Sequence, residues 1–290
     1  MKRYFELTDE TAVVYGVTVH RIRATEDIDE RNVKKGDLGG FVQRKLNIRG
    51  RAWVYDDAVV MENAYVTDDV VVRGNACIYG NAVVREHAIV CDHASVLGDA
   101  RVNGYAVIAG SATVQDNAKL SGAVLLKDAA YVSSNAVLED HVRVSSDAVI
   151  GGNALVGGHA AIVDNAAVSG CAVVRGRILI GGVTRVQDQV TIDIYPPGRV
   201  IRIFSDAVFN GDAVIHSLND FIIMHNNWSS GRNFVWTRSN NMWSVGCFYG
   251  TGEELIKKAM QDSVASGRGY KRAVDYVESM LKDEGQPVVV

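Results

Sequence analysis

Four histidines, His87, His93, His141 and His159, occupy the same place in a six-residue pattern. Imidazole titrates near neutrality and is the usual general base for acyl transfer, and His141 and His159 lie three repeat units apart. The opposing reading is structural, because Asn, Asp and His are enriched wherever a chain corner needs left-handed backbone angles. A second set is aromatic and basic: Trp228, Arg232, Phe234, Trp236, Arg238, Trp243, Phe248 and Tyr249. Aromatic faces stack on bases and arginine forks match phosphate oxygens, so Trp228, Arg232, Arg238 and Trp243 are the candidates for holding a nucleotide-like anion. Against this, a few large aromatics must supply most of the buried area of any small domain. The cysteines Cys77, Cys91, Cys171 and Cys247 have neither metal-ligand nor disulfide spacing, so no metal site is expected. No nucleophile–base pair or phosphate-cradling glycine loop is present to strengthen a catalytic reading.

These residues are positioned by a repeat. Every sixth residue from Leu46 to Val190 gives 25 positions, of which eighteen are Ala. Two residues after each stands an aliphatic residue without exception, from Ile48 to Ile192. Residues two apart on a strand share a face, so the Ala and the aliphatic residue point inward together. Two inward residues in six are too sparse for a helix, whose apolar stripe recurs at three and four. They suit very short strands joined by tight corners. From Asp56-Asp57 to Gly170-Cys171 there are 20 corner pairs, the first member always Gly, Asp, Glu or Ser and the second Asn or Asp in 11. These residues tolerate left-handed backbone angles. Three strands and three corners make a coil of roughly 18 residues, and coils stack at about 4.8 Å. The expected fold is an all-β solenoid, a parallel β-helix whose ends need caps.

The residue between the two inward ones points outward. Taken at every third unit, one outward column reads Trp53, Val71, Ile89, Val107, Leu125, Arg143, Ala161, Leu179, seven of the eight apolar. Such a column exceeds an ordinary monomer's exposed apolar patch, so Trp53, Val71, Ile89, Val107 and Leu125 are expected to form an oligomer interface. Plain β-propensity for Val on either face is the competing explanation.

The ends depart from the register. Residues 1–45 read as an N-terminal β cap, with β-formers from Thr11 to Arg23 and a tight turn at Gly39-Gly40. The array spans 46–215, with a loop near 194–202 where Pro196-Pro197-Gly198 cannot serve a strand ladder. Residues 216–290 read as a small α+β domain. Its strands lie near Phe221–Met224, Phe234–Trp236 and Met242–Val245. Thr251-Gly252-Glu253-Glu254 carries a capping-box signature. Two helices follow, one ending near Asp262 and one from about Tyr270 to Lys282, with Ser263 to Gly269 as a linker.

The small-x-aliphatic repeat resembles the hexapeptide-repeat, left-handed parallel β-helix family, which includes many trimeric acyltransferases. The handedness is implied by that resemblance. The chain is also similar to a group of phage and prophage proteins that pair an Ala-x-Val array with two flanking stretches. These are present as Gly36-Asp37-Leu38-Gly39-Gly40 and Gly246-Cys247-Phe248-Tyr249-Gly250-Thr251. The resemblance implies a parallel homotrimer, although the apolar column alone allows a dimer. It also admits an acetyl-CoA-dependent acyltransferase using His141 or His159. The array departs from those enzymes in having no loop excursion among its 25 units.

Net charge is −4 with no long basic run, which gives no footprint of a duplex nucleic-acid binder. The first residues lack the apolar core of a signal peptide, and no apolar run is long enough to span a bilayer. The expectation is a cytoplasmic, non-catalytic, homo-oligomeric β-helix binding protein of phage type without cofactor, in the host cytoplasm if phage-encoded. It would sequester a nucleotide-like defence signal or a host protein. The alternatives are the acyltransferase and a structural rod.

Overall fold

The computed structural model describes residues 4–195, 200–227 and 231–284. Strands mostly of two residues wind into a parallel β-solenoid of about nine turns. Each strand pairs in parallel with the strand one coil further along, as Ile89 does with Val107. Three flat walls result, named here by their first outward residues. The Trp53 and Tyr65 walls hold nine strands each, while the Val59 wall extends into the N-terminal strands to make a sheet of twelve.

The Ala and aliphatic columns form the interior, with Ala76, Ile78, Ala94 and Val96 all fully buried. Two positions in the register differ. Leu46 is exposed in a 3-10 turn, Lys45–Asn47, so the alanine column starts at Ala52. Here Asn47 closes the first coil, its amide donating to Ala64 O at 2.6 Å. At the other end Thr184 is buried, and Ser205 N–H donates to its hydroxyl at 3.3 Å.

The corners follow one rule. Ladder amides donate to carbonyls of the coil that follows, as Tyr55 does to Val72 O at 2.8 Å and Asp57 to Gly74 O at 3.1 Å. The first residue of each corner pair is left-handed, for example φ +53° at Asp56 and +70° at Gly74, and its amide lies outside that ladder. Where the residue at the same corner one coil back is acidic, its carboxylate accepts that amide instead. Gly74 N–H donates to Asp56 at 2.8 Å, Gly110 N–H to Asp92 at 2.9 Å and Gly158 N–H to Asp140 at 2.9 Å. One edge therefore alternates acid with a small residue: Asp56, Gly74, Asp92, Gly110, Asp128, Ser146, Asp164, Gly182. The second corner position has a different logic. Its asparagines form side-chain ladders, Asn117 to Asn135 at 3.0 Å and Asn135 to Asn153 at 2.9 Å. The left-handed residue beside each corner histidine is its predecessor, as at Glu86 and Asp140. Backbone conformation therefore does not account for histidine at the second position.

At the N-terminal end, β1 (Phe5–Val14) and β2 (Val17–Ala24) form a hairpin turning at Tyr15-Gly16, both with positive φ. The hairpin joins β3 (Leu38–Val42), which runs parallel to Val59–Val60. Gly39 and Gly40 lie within β3 and do not form the turn that was expected. A Cβ on Gly39 would stand 2.5 Å from Val54 O, and one on Gly40 2.5 Å from Ala58 O, so close approach is what requires glycine here.

Near the C-terminal end the coil-to-coil offset grows by five, since Arg185 pairs with Val208. The added residues fall between Ile194 and Ile201, and the expected loop at Pro196-Pro197-Gly198 lies outside the described residues. A four-stranded antiparallel sheet follows, of β4 (Phe221–His225), β5 (Asn233–Thr237), β6 (Met242–Val245) and β7 (Phe248–Gly250). Then come α1 (Gly252–Asp262) and α2 (Val264–Asp283). The expected linker between the helices is a single residue. Ser263 ends α1, and its side chain caps α2 by accepting from Ser266 N–H.

Two measurements test the interior and the corner rule in turn. Val102→Asp places an unpaired charge in the interior and should abolish cooperative folding. Asp92→Ala loses the acceptor and keeps a strained left-handed residue, costing about 1–2 kcal/mol. Asp92→Gly loses only the acceptor, so thermal midpoints should fall in the order wild type, Gly, Ala; an Ala variant above Gly would refute the rule.

Candidate ligand clefts in the C-terminal cap

Strand alternation divides the C-terminal sheet into two faces. Phe221, Ile223 and Val235 pack on the solenoid end, where Phe209 meets Phe221 edge to face at 5.4 Å between centroids. Phe234, Trp236, Trp243 and Val245 face the helices with Leu255, Tyr270, Val274 and Val277. The sheet is thus a lid on the solenoid, and the helices are a second layer over the lid.

The joint between lid and solenoid is polar. Asn240 donates to Asp212 at 2.8 Å and the Tyr249 hydroxyl donates to it at 3.2 Å. These bonds, that from Asn240 foremost, hold the Asp212 carboxyl below the usual carboxylate range.

A first cleft of about 400 Å³ lies between the sheet and the helices. Its floor is Leu255, Ala259 and Tyr270, its sides are Phe248, Asp262 and Ser266, and Arg232, Cys247 and Lys258 stand around it. The ammonium of Lys258 lies 5.6 Å from the Phe248 ring centre. Tyr270 is fixed from behind, where the fully buried Asn226 amide donates to its hydroxyl at 2.9 Å. Gly246 leaves room for Arg232, since a Cβ there would stand 2.7 Å from the guanidinium. A second cleft of about 740 Å³ opens beside Met224, His225 and Asn227. Its opposite side is α2, with Arg268 and Arg272 above Ala265, Gly269 and Ala273.

Of the four residues expected to hold an anion, the three that are described are not brought together. Arg232 lines the first cleft. Arg238, beyond the other end of β5, pairs with Glu284 at 2.7 Å and donates to Asn219 O at 2.8 Å. Trp243 is 2% exposed, its ring against Phe234, so it offers no open stacking face. Trp228 lies outside the described residues. The sequence reading missed Lys258, Ser266 and Tyr270, whose helical spacing resembles an ordinary amphipathic pattern. It also missed Arg268 and Arg272, four residues apart and hence on one helix face.

Three corner histidines, His87, His141 and His159, share one edge, while His93 stands on another. The His141 and His159 rings stack at 4.8 Å and both are exposed, while His87 stacks on Tyr105 at 4.8 Å. On the adjoining Trp53 wall, Val71, Ile89, Val107 and Leu125 are half-buried. Trp53 is not part of that surface. It is 1% exposed beneath the N-terminal cap, grouped with Phe5, Ile28 and Val33 and touching Tyr55 edge-on. Burial pushes the Cys77 thiol up to about 11, away from reactivity. Among the described residues there is no metal-binding cluster, and no helix is long and apolar enough to cross a membrane.

No family model matches the chain, and no curated protein matches it.

Because Asp212 has a depressed pKa, its joint stabilises the fold above the ordinary Asp pKa and loses that contribution as pH falls through the folded value. The gap in thermal midpoint between wild type and Asp212→Asn should therefore narrow below about pH 4. Melting curves across acid pH check this; a constant gap would contradict it.

Proposed function

We propose that this is a non-catalytic, homo-oligomeric β-solenoid binding protein whose C-terminal cap holds a small nucleotide-like anion in the first cleft. One observation carries the reading: two cations, Arg232 and Lys258, border the same cleft as the Phe248 ring and the Ser266 hydroxyl. Cations match phosphate oxygens, an aromatic ring offers a face to a base, and a hydroxyl reads a sugar or phosphate. The apolar column Val71, Ile89, Val107, Leu125, with exposed Tyr105 beside it, supports self-association through the Trp53 wall. A parallel left-handed trimer and a phage-type role in sequestering a defence signal in host cytoplasm rest on the resemblance set out above. The stacked, exposed His141 and His159 favour the alternative, acyl transfer from acetyl-CoA.

Titration calorimetry with mono-, di- and cyclic nucleotides should give saturable heat that Arg232→Ala with Lys258→Ala reduces at least about tenfold. Absence of heat across the panel would remove the ligand, and heat with acetyl-CoA that depends on His141 or His159 would favour the transferase. Val107→Glu with Leu125→Glu should shift sedimentation toward monomer, because it places uncompensated charge on the contact. A wild type that sediments as a monomer at micromolar concentration would refute the assembly.

A further inference from the structure

Sheet edges present unpaired backbone groups, and proteins normally defend them. The three outer edges of the two end caps are treated differently. β1 carries Glu6, Asp9 and Glu10 and has a register shift between Leu7 and Thr11. β7 is only three residues long. β4, Phe221-Ile222-Ile223-Met224-His225, has no proline and no acidic, lysine or arginine side chain, and it pairs with β5 in unbroken register along its whole length.

The register shows which groups face away from the sheet. Arg238 N–H donates to Asp220 O at 2.8 Å and Asn226 N–H to Arg232 O at 2.9 Å. In an antiparallel pair, bonded residues alternate, so the even positions of β4 bond to β5. The amides and carbonyls of Phe221, Ile223 and His225 are directed outward. Among the described residues no strand pairs with that side.

The second cleft lies where this edge ends and α2 passes beside it. Ala265, Gly269 and Ala273 leave it about 740 Å³, room for a polypeptide backbone. Arg268 and Arg272 are exposed, and among the described residues no ion pair or hydrogen bond engages either. His225 adds a third basic group, and among the described residues no carboxylate lines the cleft. Residues four apart on a helix place their Cβ atoms about 5–6 Å apart, and residues two apart on an extended chain recur at about 6.6 Å. Carboxylates at i and i+2 of an added strand therefore match Arg268 and Arg272.

We propose that the β4 edge is a docking site for an extended acidic segment of another polypeptide. The segment adds as a fifth strand beside β4 and presents alternate carboxylates to Arg268 and Arg272. Main-chain bonds hold the strand and the arginines select its charge.

The test uses the full chain and a fluorescein-labelled octapeptide of alternating threonine and glutamate, followed by anisotropy at low salt. Two control peptides replace glutamate with lysine or N-methylate alternate backbone amides. The glutamate peptide should bind saturably. Arg268→Glu with Arg272→Glu, the lysine peptide and the N-methylated peptide should each weaken binding at least about tenfold. Arg232→Ala should leave it unchanged, which separates this surface from the anion cleft proposed above. Equal binding of the N-methylated peptide would reduce the effect to charge alone and overturn strand addition. Displacement by micromolar inorganic pyrophosphate would assign the arginines to a small anion instead. No binding at about 1 mM peptide to protein with an intact β-sheet circular dichroism spectrum would end the proposal.

Discussion

The solenoid depends on what happens to one amide per corner. A chain that turns at every repeat unit must place a residue in left-handed conformation at each corner, and that residue's N–H falls outside the coil-to-coil ladder. Aspartate or glutamate one coil earlier meets both demands, because it tolerates positive φ and supplies an acceptor. Glycine meets only the first. With the corners fixed, the interior follows: two inward residues per short strand leave space only for an alanine and an aliphatic side chain.

A solenoid built this way has two raw ends. At the first, the β1–β2 hairpin extends one wall while the loop before β3 covers Trp53 on another. At the second, a whole sheet lies across the last coil with two helices above it. This explains why the aromatic residues of the C-terminal region are split between core and surface. Trp236 and Trp243 hold the helices to the lid, whereas Phe248 and Arg232 remain at a cleft. The stretches around Gly39-Gly40 and Gly246 to Thr251 have architectural roles too. The first admits a close strand approach, and the second turns β6 into β7 and caps α1.

The repeat was legible because its signal is local and recurs in every coil. The inward columns from Ala52 and Ile48 onward follow the period of the unit, and the outward columns follow the period of the coil. What sequence could not convey was anything set by contact between distant segments. Gly39-Gly40 reads as a turn until Val54 and Ala58 are seen against it. Trp53 reads as an exposed wall residue until the cap is folded over it. Trp243 and Arg238 are close in sequence to Arg232, yet strand alternation and the pairing of β5 with β6 send them to a core and to an opposite end. The cations that do share clefts, Lys258, Arg268 and Arg272, sit on helices whose polar faces carry no distinguishing pattern.

The alternation of acid and small residue along one edge has a consequence for how the chain finds its register. The interior is nearly the same in every coil, so a chain that looped out one whole coil and stacked the next in its place would bury almost identical side chains. The corners would not be equivalent. On the edge that runs from Asp56 to Gly182, skipping a coil that carries a small residue sets aspartate directly over aspartate at the strand spacing of about 4.8 Å, and skipping one that carries aspartate sets small residue over small residue. Acid over acid is accommodated on another edge, where Glu86 N–H donates to Asp68 at 3.1 Å, but a small residue over a small residue leaves its amide without a carboxylate acceptor. Coil order is thus marked by which corner amides find a carboxylate, on a molecule whose core holds almost no positional information.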